Sequence, residues 1–174
     1  FAGVQIKNHD ISWQVIGDSC IFIIPADGPL KCISSVASIV DSEGHIQMGF
    51  GNETDYLISN GTIKGSIAEG TDSLNSGWIS LMTDAVSDWF VKQYNQGNNP
   101  IDVLLKLESN DDFEELIEKE CNMGRMKSDD SSVILINIPP DENGVLEVEK
   151  NHILNTAVDN FEEWFEQALP LWMI

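Results

Sequence analysis

The sequence predicts an α+β chain in which antiparallel strands come first and helices are set between the later strands. Three observations predict it. Short alternating apolar runs punctuated by turn residues extend to about Ser35, a strand ending at Asp84 gives way to helical spacing, and Ser132 to Ile138 is almost wholly apolar. With 174 residues, 42% of them hydrophobic, the chain suits one domain around a single core.

Taken in order, Val4 and Ile6 alternate, and Trp13, Val15 and Ile16 follow Asp10. Cys20 to Ile24 follows Gly17-Asp18-Ser19, which separates two apolar runs as a hairpin turn would. Between 36 and 77 Gly, Ser, Asn, Thr and Asp dominate, with short apolar pieces at Tyr56 to Ile58 and Ile63 to Ile67. Loops, short strands and a mobile flap are expected there. Trp78 to Thr83 is a compact strand, after which Val86, Trp89, Phe90 and Tyr94 recur at helical spacing. Asn99-Pro100 reads as an N-cap followed by Pro at the first helical position. Asp111 or Asp112 is suited to cap a helix carrying Phe113, Leu116, Ile117 and Cys121, so two helices between strands is the simplest arrangement.

Ser132 to Ile138 is β-branched enough to be a strand buried on both faces, stopped by Pro139-Pro140. After the turn-forming Asp141 to Gly144, one helical stripe runs through Ile153, Leu154, Ala157, Val158, Phe161, Trp164, Phe165 and Ala168. The tail from Leu169 to Ile174 is too apolar for free solvent and is expected to pack on the domain or on a second copy.

Nine Lys plus Arg against 29 Asp plus Glu give a formal charge of −20, which repels phosphate backbones and anionic lipid. No segment approaches the run of about 20 apolar residues that spans a bilayer. Neither nucleic acid nor membrane is expected as a partner. Cys20, Cys32 and Cys121 show no CxxC pairing, against both a disulfide framework and a thiolate zinc site. Cys20 and Cys32 could face each other across neighbouring strands, reduced in the cytoplasmic location expected here. The chain starts at Phe1 without Met or a basic-then-apolar leader, as a fragment or processed chain would.

Two places repeat one theme, a carboxylate at the edge of a buried strand: Asp84 after Trp78 to Thr83, and Asp129 before Ser132 to Ile138. If the strands are neighbours, these groups converge, and oxygen ligands held this way suit Mg²⁺ or Mn²⁺. Two close carboxylates without a cation would raise the pKa of one of them. The plainer alternative makes both capping or turn residues, with Asp84 well placed as an N-cap.

Leu81-Met82-Thr83-Asp84-Ala85-Val86-Ser87-Asp88 resembles a motif of the metal-dependent protein phosphatases of type 2C: an apolar strand, then Asp-Gly, two residues and Asp. Lys127 to Leu135 resembles that family's closing motif, Asp-Asn, one residue, Ser or Thr, then an apolar strand. Val15-Ile16-Gly17-Asp18-Ser19 resembles its segment of apolar residue, Gly, Asp, Ser. The resemblance implies an α-β-β-α sandwich of two antiparallel sheets flanked by helices, with only the second half present. Residues 1–138 would form the C-terminal part of the domain, and 139–174 a turn and amphipathic helix packing on it.

By resemblance, Asp84 and Asp129 fall on metal-binding positions, Asp18 on a structural turn position, and Asp88 and Asp130 on positions beside the ligands at most. Ala85 replaces the usual Gly and narrows the backbone there, and Cys20 stands where the family often has Arg. The family's early Asp-Gly-His-Gly segment, its phosphate-binding Arg and its proton-donating His have no counterpart. Arg125 lies near the closing motif instead, and His9, His45 and His152 are isolated. The complete enzyme would hydrolyse phosphoserine and phosphothreonine in protein substrates, with two Mg²⁺ or Mn²⁺ ions lowering the pKa of a bridging water. The chain alone would be inactive unless a separate upstream segment or a second copy supplies the rest. The alternative is a non-catalytic phosphatase-like module for binding or regulation, favoured by Ala85 and the missing half. A calcium-binding acidic protein is weaker, lacking a D-x-D-x-D-G loop.

Overall fold

The computed structural model describes residues 1–35, 38–50, 56–57, 63–140 and 152–155. Its centre is strand β10 (Gly77–Met82), paired antiparallel on one edge with β3 (Cys20–Pro25) and on the other with β11 (Ser132–Ile138). The outer strands β4 (Lys31–Ser34) and β12 (His152–Asn155) complete a five-stranded sheet in the order β12-β11-β10-β3-β4. A second antiparallel sheet has three strands in the order β1-β2-β9, from Ala2–Lys7, Asp10–Ile16 and Ile67–Ser73. Two small ladders join β5 (Ser38–Val40) to β6 (Ile46–Met48) and β7 (Tyr56–Leu57) to β8 (Ile63–Lys64).

The period of two in the central strands sorts their side chains into two apolar layers. Ile21, Ile23, Ile79, Ile136 and Ile138 face the three-stranded sheet and meet Ile11 and Val15 from it. Cys20, Phe22, Met82, Val133 and Leu135 face the other way, against helices α1 (Asp84–Asn95), α2 (Pro100–Leu104) and α3 (Asn110–Asn122). Phe22 and Phe90 pack with ring centroids 4.9 Å apart. The fold is therefore α+β with two antiparallel sheets, as expected. Among the described residues the helices lie against one sheet only.

Several local expectations are corrected. Gly17-Asp18-Ser19 is no hairpin: β2 and β3 belong to different sheets, and the turn, with Gly17 at φ 85°, carries the chain from one to the other. Three helices rather than two lie between β10 and β11, because Asn99-Pro100 starts a short helix of its own. The cap of α3 is Ser109, whose hydroxyl accepts from the Asp112 amide at 3.2 Å, while the Asp112 carboxylate accepts from the Glu108 amide at 3.0 Å. Ile153 and Leu154, expected on a helical stripe, lie in β12, where the open edge of β11 offers a ladder to complete. The rest of that stripe and the apolar tail lie outside the described residues, as do residues 36–37, 51–55 and 58–62 of the segment in which a flap was expected. The 36–77 segment also contains a seven-residue strand, β9, longer than the short strands expected there.

Two positions show how closely the core is set. Gly77 has φ 136°, and a Cβ there would run into the Ile24 carbonyl oxygen across the ladder. Glu120 is only 5% exposed and accepts from the Trp89 indole at 3.0 Å and from Arg125 at 2.7 and 2.6 Å, tying α3 to α1. Arg125 is thus engaged in an ion pair with Glu120. Its guanidinium first, and then the indole, hold the Glu120 carboxyl below the usual range.

Gly77→Ala is expected to cost about 2–4 kcal/mol in urea unfolding, since both the backbone region and the space exclude a side chain. A carboxyl with a lowered folded pKa contributes stability above its unfolded value near pH ~4.3 and loses it as pH falls through the folded value. Glu120→Gln should therefore melt below the parent at pH 7, with the deficit shrinking as pH is lowered towards about 3. A deficit constant with pH would exclude the ion pair as its source.

Candidate active site

The antiparallel register of β10 with β11 brings the end of one strand beside the start of the other, with Met82 opposite Val133. Two hydrogen bonds extend that pairing by one residue. The Thr83 amide donates to the Ser132 carbonyl at 3.2 Å, and the Ser132 amide donates to the Thr83 hydroxyl at 3.1 Å. Thr83 is also the N-cap of α1 by backbone conformation, yet its side chain makes no cap bond because it is spent on β11. Asp84 is thus the first helical residue rather than the cap, where the positive end of the helix favours a carboxylate. Asp129 lies three residues before β11, in a turn closed by the Asp130 amide on its carboxylate at 3.0 Å and by the Ser131 hydroxyl on its carbonyl at 3.1 Å.

Asp84 and Asp129 meet through a third group, which the sequence had not marked. The ammonium of Lys127 lies 2.7 Å from Asp129 Oδ2 and 3.6 Å from Asp84 Oδ2. At Asp129 the shift runs opposite to the expected rise. Lys127, donating to Asp129, and then the Asp130 amide hold the Asp129 carboxyl below its ordinary value. In turn the hydrogen bond and charge of Asp129, with the charge of Asp84 behind them, push the Lys127 ammonium up. Repulsion between the acids is offset by a cation already between them.

The chain comparisons add no family to this geometry. No family model, curated protein or solved structure matches the chain.

The remaining candidates separate from this pair. Asp88 pairs with Lys92 one helical turn on, at 2.5 Å, and Asp130 is exposed with its amide on Asp129. Asp18 sits in the turn between the sheets. His9 bonds the carbonyl of Leu74, 65 residues along the chain, at 3.0 Å, and His45 lies 3.2 Å from Asp41 within its own turn. The side chain of His152 lies outside what is described. Cys20 and Cys32 do sit on neighbouring strands, offset diagonally because Cys20 opposes Ser34 and Cys32 opposes Phe22. All three thiols are free, and hydrogen bonding to Cys20 together with burial pushes the Cys32 thiol up. Cys20 is wholly buried against the helices, where an Arg could not be hydrated.

Divalent ions of the Mg²⁺ or Mn²⁺ kind fit the donor set. It consists of carboxylate oxygens, an ammonium already stands in as their cation, and such ions commonly take only one or two protein carboxylates. Among the described residues no third His, Cys, Asp or Glu joins the pair.

Ala85, the departure that narrows the backbone, is 1% exposed and lies within α1. A helical residue needs no glycine. Ala85→Gly is expected to lower stability by about 0.5–1 kcal/mol through chain entropy, read as a shift in the denaturation midpoint at unchanged slope. A stabilised variant would mean that the alanine methyl strains the strand-to-helix corner.

Proposed function

We propose that this chain contributes two metal-binding carboxylates, Asp84 and Asp129, to the site of a serine/threonine phosphoprotein phosphatase resembling type 2C, and forms the second half of its domain. The observation that carries the reading is the convergence of these two groups, from the ends of neighbouring antiparallel strands, on one cationic centre. Support also comes from the two-sheet α+β fold and from the order of the three resembling motifs.

In this reading Asp84, 21% exposed, and Asp129, 43% exposed, hold ions at the mouth of the β10–β11 corner, open to a protein-borne phosphate. When bound, divalent ions would supply Lewis acidity that activates water for in-line attack on phosphorus and neutralise the leaving oxygen. The chain's own residues position that chemistry. Thr83 and Ser132 lock the two strand ends together, and the α1 N-terminus adds partial positive charge beside Asp84. The Asp130 amide orients one Asp129 oxygen and leaves the other facing the cation.

The second reading, a phosphatase-like module without catalysis, is favoured by one observation: the place between the carboxylates is already held by Lys127. The two readings differ in their response to metal. Mn²⁺ is expected to raise the melting temperature of the parent, while Asp84→Asn and Asp129→Asn each weaken Mn²⁺ binding by about tenfold or more in calorimetric titration. In a polypeptide that joins this chain to an upstream segment carrying the remaining ligands, the same changes should depress Mn²⁺-dependent hydrolysis of a phosphothreonine peptide. Parent-like metal response and rate in both variants would remove the chemical basis of the assignment.

A further inference from the structure

Lys127 combines a pinned backbone with a side chain that is largely in solvent. Arg125 and Met126 donate their amides to the Glu120 carbonyl at 2.9 and 3.2 Å, and the Cys121 thiol donates to the Lys127 carbonyl at 3.6 Å. Met126 is buried among the helices at 5% exposure, so the loop is anchored immediately before Lys127. The Lys127 side chain itself is 63% exposed. Its ammonium can leave the carboxylates for water without disturbing any packed group, yet the anchored backbone keeps it within reach at high local concentration.

We propose that Lys127 is a tethered counter-cation of the Asp84–Asp129 pair: it occupies the pair in the absence of divalent metal, must be displaced for metal to bind, and so sets the metal concentration at which the site fills. The proposal rests on the reading of that pair as a metal site. Charge arithmetic favours the exchange. A divalent ion meets both carboxylates with inner-sphere oxygen contacts, whereas the ammonium makes one hydrogen bond and one longer contact. The lysine thus opposes binding by competition and, once displaced, by repulsion at short range, so the apparent affinity for a divalent ion is lowered in proportion to the time the ammonium holds the pair.

Calorimetric titration with MnCl₂ and thermal melts over the same Mn²⁺ range test this on the parent, Lys127→Met, Lys127→Arg and Asp129→Asn. Lys127→Met keeps the length of the stem and removes the charge. It should bind Mn²⁺ about three- to tenfold more tightly than the parent and show a larger Mn²⁺-induced rise in melting temperature at a given subsaturating concentration. Lys127→Arg, which keeps a cation on the tether, should bind no more tightly than the parent. Asp129→Asn should bind more weakly than all three. If Lys127→Met binds Mn²⁺ with parental or lower affinity while Asp129→Asn loses it, the metal site stands and the counter-cation proposal is overturned. If neither the parent nor Lys127→Met binds Mn²⁺ at millimolar concentration, the metal reading fails and the proposal with it.

Discussion

The pairing of β10 on both of its edges is the constraint on which the molecule depends. Every residue of this six-residue strand is matched to one of β3 and one of β11, so its register fixes two apolar layers at once. Ile79 joins the layer between the sheets, and Met82 joins the layer beneath the helices. Because side chains alternate strictly, a slip of one residue would exchange the two sets, sending Met82 into the inter-sheet layer and Ile79 under α1. That double penalty makes the register firm. It tolerates one oddity, the wholly buried Ser80 on the helix side, whose hydroxyl has no hydrogen-bond partner.

The acidic corner inherits its geometry from this register. Neither Asp84 nor Asp129 lies in a strand, but each is only a few bonds from one, and the Thr83–Ser132 hydrogen bonds carry strand-like rigidity one residue past the sheet. On the far side the corner is bounded by the loop that leaves α3, which the Glu120–Arg125–Trp89 cluster secures. Two rigid supports and one solvent-exposed lysine between them make a centre whose acids are placed by backbone and whose cation is not.

Elements with a strong period were legible in the sequence. β11 appears with its expected limits, Ser132–Ile138, and the stripe Val86, Trp89, Phe90 and Tyr94 does lie on a helix. What escaped reading was carried by tertiary partners. β9 contains Ile67, Ala68, Glu69, Gly70, Thr71, Asp72 and Ser73, a composition that announces a loop. It is a strand because β2 supplies its ladder and because Gly70 leaves room for the Trp13 ring opposite. β12 lies within a helical pattern and pairs with β11 instead. In the candidate site, both aspartates were legible from their places beside apolar runs, and the lysine was not. Lys127 was in view within the motif, but a single lysine near acids in a chain of charge −20 carries no positional signal until the turn before β11 has folded.

Asp72 bears on the mechanics of the two-layer body. Apolar contacts between sheets are non-directional, so they resist separation better than they resist sliding. At the rim, Asp72 of β9 accepts from the Trp13 indole of its own sheet at 2.9 Å and from the Lys31 ammonium of the other sheet at 2.8 and 2.7 Å, while that ammonium lies 5.9 Å from the Trp13 ring centroid. This directional fastening opposes shear where grease cannot. It is half in solvent and ionic, so raising the salt concentration softens the joint between the sheets without thinning either apolar layer.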